Sequence, residues 1–239
     1  MSSGGKMRVA GCRRGTLGPR AALPSHLPSY PHVQAWYPGA EGGSAIVDTL
    51  CGAYSPAGRL PVTIVSGLSE LPPATDFILS TPPGRTSRYY SGTPLFPFGF
   101  GLSYANFTYA GLSVSPGTLG PLDGSFTVSA TVTHTGGPTS DEVVQLYGSF
   151  TPAAGVNLAS VPRQQLLAFI RLPALKSGST TPVSFDVARS ALELSLGGDN
   201  GGKLAVAPGT WRLTLGGGPP TNALYSGGGA VLVGSLVAR

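Results

Sequence analysis

From residue 107 onward, apolar residues recur at every second position in short runs, each closed by Gly, Pro, Ser or Asp. The runs are FTYAGLSVS (107–115), SFTVSATVTH (125–134), EVVQLYGSF (142–150), TPVSFDV (181–187), GTWRLTLG (209–216) and GAVLVGSLV (229–237). A period of two sends alternate side chains to opposite faces of a strand, so each run can bury one face and wet the other. Several such strands with turn signals between them predict an antiparallel β-sandwich of immunoglobulin-like type over 107–239. Within GTWRLTLG the alternation puts Trp211, Leu213 and Leu215 on one face, which places Trp211 in the core. Arg189 to Leu194 is expected to form one short helical turn.

The preceding segment follows a different rule. In VQAWYPGAEGGSAIVDTLCGAYSPAGRLPVTIV (33–65), Ala45, Ile46, Thr49 and Leu50 share one face of a short helix opened by Ser44 and stopped near Gly52. Leu60, Val62 and Ile64 then alternate as a strand, so 33–66 reads as strand, helix, strand, a partial α/β (βαβ) remnant that cannot bury both its faces alone. Residues 67–106 carry Pro and Gly every few positions with aromatics between them, which predicts an ordered irregular connector packed on its neighbours. Residues 1–32 are basic and then Pro-rich, and read as a disordered tail. The expected fold class is therefore mainly β: a β-sandwich preceded by an α/β remnant and a connector.

Composition limits the function classes. Gly 36 and Pro 23 make about a quarter of 239 residues, and only 10% are charged against roughly 25% in an average domain, which excludes a helix bundle, a coiled coil and a large complete multidomain enzyme. The formal charge of +5 comes from Lys6, Arg8, Arg13, Arg14 and Arg20; the remaining chain has ten bases and ten acids, so a nucleic-acid partner is not expected. The tail lacks the apolar run of a signal peptide, and no stretch of about 18 apolar residues offers a transmembrane segment. Cys12 and Cys51 cannot make a disulfide framework or a four-ligand metal site, and His26, His32 and His134 have no companion ligands at metal spacing. No metal and no cofactor is expected.

Candidate binding residues are few. Glu41 is the carboxylate of a Gly-rich turn that follows Trp36 and Tyr37, and a ring beside a carboxylate is how sugar sites cover a pyranose face and accept its hydroxyls. The plainer reading, a solvated loop acid and a core Trp, is favoured by ordinary burial. Asp141, Glu142 and the other acids fall at strand ends and turns with nothing to pair them for acid–base work. Arg85 and Arg88 flank Tyr89 and Tyr90 and are expected to stack on, and hydrogen-bond to, an adjoining domain. Asn106-Phe107-Thr108 fits the glycosylation pattern of a secreted chain.

Two long motifs then narrow the reading. AWYPGAEGGSAIVDTLCGAYSPAGRLPVT (35–63) resembles the end of the α/β sandwich domain of glycoside hydrolase family 3, with its PGxEGGxAIxDxLxGxxxPxGRLPxT pattern, and GRTSRYYSGTPLFPFGFGLSYANFTY (84–109) is similar to the segment that follows it there. SATVTHTGGPTSDEVVQLY (129–147), VPRQQLLAFIRL (161–172) and VAPGTWRLTLG (206–216) are similar to the fibronectin type III-like domain that closes many of these enzymes. The resemblance implies a retaining glycosidase acting on a carbohydrate substrate, of the β-xylosidase, arabinofuranosidase or β-glucosidase type and often secreted. Such an enzyme needs a nucleophile and an acid/base about 5 to 5.5 Å apart. In the family these come from a barrel domain and from a part of the α/β domain upstream of the PGxEGG motif, and neither has a counterpart in these 239 residues. No catalytic residue is therefore carried over, and Glu41 is not the usual acid/base. The expectation is a truncated product or incomplete gene model, inactive alone and prone to associate through its exposed α/β remnant. The alternative is a non-catalytic sandwich module binding carbohydrate or protein through Trp211, Tyr147 and Phe150, if these point outward.

Overall fold

A computed structural model describes residues 33–156, 158–197, 202–220 and 232–238. The expectations for residues 1–32 lie outside them. The architecture is mainly β: strands β1 (Asn106–Ser115), β2 (Thr118–Leu119), β3 (Ser125–Gly136), β4 (Ser140–Pro152), β5 (Gln165–Leu175), β6 (Thr180–Ala188), β7 (Leu194–Ser195), β8 (Leu204–Ala205), β9 (Gly209–Gly216) and β10 (Leu232–Ala238). One sheet has the order β1-β3-β6 and a larger one β2-β10-β9-β4-β5, while β7 and β8 form a small hairpin.

Alternation explains the packing. On β3, Phe126, Val128, Ala130, Val132 and His134 are buried at every second position, and Val183, Phe185 and Val187 do the same on β6. They face Val144 and Leu146 of β4, Trp211, Leu213 and Leu215 of β9 and Leu236 of β10 in one core. Phe150 and Trp211 stand opposite each other in the β4–β9 register with ring centroids 5.0 Å apart. Fully burying side chains of this size contributes about 1.5–3 kcal/mol each, so the sandwich dominates the stability of the chain. The predicted turn after β6 is present as a 3-10 helix, Arg189–Leu192.

Four points differ from the expectation. The strand β5 was not legible by alternation: QLLAFIRLPAL has no period of two, and as an edge strand bonded only to β4 it leaves Phe169 and Ile170 exposed. Conversely, Leu60–Val62–Ile64 alternates without forming a strand. It has no ladder partner and makes only an isolated bridge between Ile64 and Phe96, with Leu60 bonded to Phe100 and Gly99 through the backbone. The residues before the helix likewise form no strand, so the βαβ unit is reduced to its helix. That helix, α1 (Gly42–Cys51), starts two residues before Ser44, with Glu41 at the N-cap position. Its end is as expected: Gly52 takes φ 76°, the left-handed conformation that glycine adopts without steric cost, and the N–H of Ala53 closes on the Asp48 carbonyl.

On β4, Val144 through Gly148 are buried without a break. Its inner side chains meet the opposing sheet, and its outer ones are covered by residues 57–59 and 97–101. The connector is held there through α2 (Thr86–Tyr89): the Arg163 N–H bonds the Arg88 carbonyl at 2.7 Å, and Arg88 Nη2 donates to Gln165 Oε1 at 3.1 Å. Arg85 Nη2 donates to the Pro72, Pro73 and Asp76 carbonyls, which ties the connector to itself.

Candidate functional site

The two residues singled out for carbohydrate contact lie on the loop before α1. Trp36 is 50% exposed and holds φ 51°, a left-handed conformation uncommon for an aromatic residue, and Tyr37 beside it is almost fully exposed. Glu41 is exposed and makes no side-chain cap bond. The plainer reading is thus right for the acid and wrong for the Trp, which is not in the core. The loop presents an aromatic surface and a free carboxylate on the same short turn.

The best-built polar cluster is elsewhere, where residues 57–59 and 97–101 meet the sandwich. Arg59 and Glu142 form an ion pair at 3.0 Å with side chains 8% and 2% exposed, so both charges are out of water. Arg59 Nη2 reaches both carboxylate oxygens, its Nε donates to the Gly217 carbonyl at 2.8 Å and its Nη1 to the Ala57 carbonyl at 3.1 Å. The Tyr109 hydroxyl donates to Glu142 Oε1 at 2.6 Å. On the other side of β4, Gln145 Nε2 donates to the Gly99 and Gly217 carbonyls, and the Tyr147 hydroxyl donates to Gln145 Oε1 at 2.6 Å.

The energetics of this ring are those of a structural lock. A buried charge is tolerated only when its partner and hydrogen bonds replace water, and Glu142 has both. Burial pushes the Glu142 carboxyl up, and the Arg59 charge with the Tyr109 hydroxyl pulls it partly back. Burial, reinforced by the Glu142 charge, drives the Tyr109 phenol well above its ordinary value, so Tyr109 remains a donor. Burial raises the Tyr147 phenol in the same way. Gly99 fits because it holds φ 81° and because a Cβ there would collide with the Tyr147 hydroxyl and the Gln145 amide oxygen.

Asp141 and Glu142, read from the sequence as unpaired turn acids, are therefore both engaged. Asp141 Oδ1 accepts from the Ala174 N–H at 2.8 Å and Oδ2 from Arg171 Nε at 2.7 Å, and these contacts, the Ala174 N–H foremost, hold its carboxyl below the usual range. The one missed signal was parity: Glu142 falls on the same face as Val144 and Leu146, and an acid at an inward position calls for a buried cation. Its partner lies 83 residues away, beyond the reach of local pattern. Trp211, Tyr147 and Phe150 are all buried, so the aromatic strip required by a sandwich-face binding module does not exist. Among the described residues no three His, Cys, Asp or Glu side chains cluster as a metal site, and no helix is long and apolar enough to cross a membrane.

A β-sandwich and the segment upstream of it are thus held together by a buried ion pair. Residues 24–104 match the family model of the glycosyl hydrolase family 3 C-terminal domain, and residues 142–218 match that of the fibronectin type III-like domain. The chain thus corresponds to the C-terminal part of a glycoside hydrolase family 3 enzyme with its fibronectin type III-like domain, as the motifs implied. It is 38% identical over 161 residues to a xylan 1,4-beta-xylosidase of Xylanibacter ruminicola, covering 67% of this chain and 17% of that protein. It is 35% identical to a periplasmic beta-glucosidase of Salmonella typhimurium, covering 67% of this chain and 21% of the relative. Among solved structures it superposes on a beta-D-glucoside glucohydrolase from Trichoderma reesei with a TM-score of 0.65 at 26% identity, over 84% of this chain and 29% of that one. A family 3 exo-beta-xylosidase in complex with a xylobiose aziridine probe gives a TM-score of 0.70 at 26% identity, over 85% and 27%. The chain spans about a fifth of the length of the curated relatives named above.

Proposed function

We propose that this chain serves as the C-terminal portion of a retaining glycosidase that hydrolyses O-glycosyl bonds of β-xylosides or related plant cell-wall glycosides. The observation that carries the reading is the Arg59–Glu142–Tyr109 lock: the Arg of the GRLPVT motif in the glycosidase-type segment is bonded into the fibronectin-like sandwich, so both parts form one supporting unit. Within it, Trp36 and Glu41 are the carbohydrate contacts that the chain offers, the ring covering a sugar face and the carboxylate accepting hydroxyls. Its two adjacent acids, Asp141 and Glu142, are occupied by structural partners, so this pair does not serve as nucleophile and acid/base.

Two experiments test this. The 239-residue chain is expected to release no product from aryl β-xylosides or β-glucosides, and hydrolysis above that of Glu41→Ala would contradict the inactive state. A hybrid in which residues 33–238 replace the matching C-terminal segment of a related β-xylosidase is expected to hydrolyse the aryl xyloside. A folded but inactive hybrid would overturn the glycosidase reading.

A further inference from the structure

A second polar feature lies between the segment around Tyr90 and the entry to β5. A cavity of about 230 Å³ opens there. Its floor includes Gln164, which is 5% exposed and whose Oε1 is buried with no hydrogen-bond partner. A buried amide oxygen left unpaired is destabilising, so such a group is retained where something supplies a donor. Ser91 and Thr93 are exposed at the rim. Pro94, Pro97 and Phe98 add apolar wall.

The charges around the cavity point to a neutral ligand. Arg163 lines it, with Nη1 donating to the Tyr90 carbonyl at 2.8 Å. Tyr90 also lines it, and its hydroxyl donates to the Glu70 carboxylate. Glu70 itself is not in the lining, and the one charged lining residue, Arg163, is tied through Nη1 to a backbone carbonyl. An acceptor at the floor, hydroxyls at the rim and apolar ring edges on the wall are the lining that a sugar ring needs, with its equal mix of O–H groups and C–H faces. The volume is below the roughly 300 Å³ at which drug-sized sites begin, which suits a single ring.

We propose that this cavity is a binding site for one neutral polyhydroxylated ring, such as a monosaccharide, with Gln164 Oε1 accepting a ligand hydroxyl. The site is separate from the Trp36–Glu41 loop and needs no catalytic machinery, so it stands or falls independently of the glycosidase reading. The test titrates the 239-residue chain with D-xylose and D-glucose by calorimetry and ligand-observed NMR. Saturable binding in the millimolar range is expected. Gln164→Leu removes the acceptor and is expected to weaken binding at least about tenfold while the thermal midpoint holds or rises, an outcome that a purely structural Gln164 would not give. Thr93→Val, exposed and unable to unfold the chain, is expected to weaken binding a few-fold, and it decides the matter should Gln164→Leu misfold. The proposal is overturned by a titration that never saturates, which would mean water alone fills the space. Equal affinity in both cavity variants, or tighter binding of D-glucuronate than of D-glucose, overturns it as well.

Discussion

Arg59 and Glu142 are each tolerable only because of the other. Arg59→Met leaves a carboxylate buried beside Tyr109 with no counter-charge, and the expected loss is about 3–5 kcal/mol, read from urea unfolding of the sandwich signal. Glu142→Leu alone should cost a similar amount by stranding the guanidinium, whereas the two together should cost far less than their sum, because apolar pairs of similar volume replace buried ion pairs with little loss. Additive losses would show that the pair does not act as a unit. Gly99→Ala should destabilise by more than 1 kcal/mol, since it forces both a left-handed alanine and a collision with the Tyr147 hydroxyl. At this scale the sequence was legible for residues governed by parity: Trp211 sits in the core where alternation put it. It was illegible for the lock, because the pairing of Arg59 with Glu142 is set by how two distant segments dock.

Elements were readable where the local period had a matching environment and misread where it did not. β3 and β6 alternate and are covered on one face by the opposing sheet, so period and structure agree. β5 is a strand with an unbroken apolar run, and 60–64 alternates with no neighbour to complete a ladder. Strand formation is thus decided by available partners as much as by pattern. The same contrast predicts hydrogen exchange. Backbone amides of β3, β4 and β9 are expected to open only with global unfolding, while α1 and residues 68–79, whose large apolar side chains Leu50, Leu68, Phe77 and Ile78 stand exposed, are expected to exchange orders of magnitude faster. Comparable protection in α1 and β4 would contradict this division.

Over the whole molecule the apolar surface is uneven. The sandwich interior is filled, yet Trp36, Tyr37, Val47, Leu50, Tyr54, Leu68 and Phe77 are exposed on the helical segment and the early connector. Uncovered apolar surface on that scale favours association. The 239-residue chain is expected to self-associate with rising concentration in sedimentation experiments, and Leu50→Lys with Phe77→Lys should shift it toward monomer; a monodisperse monomer at all concentrations would refute the idea. The broad plan, a sandwich preceded by a helix and an aromatic connector, was legible because composition changes with position, whereas the docking of connector on sandwich was not. That docking has a practical consequence through β4, whose residues 144–148 have water on neither side. The change of pattern at 106–107 looks like a natural cutting point, but a piece that begins there would uncover Gln145 and Tyr147 and leave Glu142 without Arg59. Anyone wishing to move the sandwich to another protein would have to carry the stretch from about residue 57 along with it.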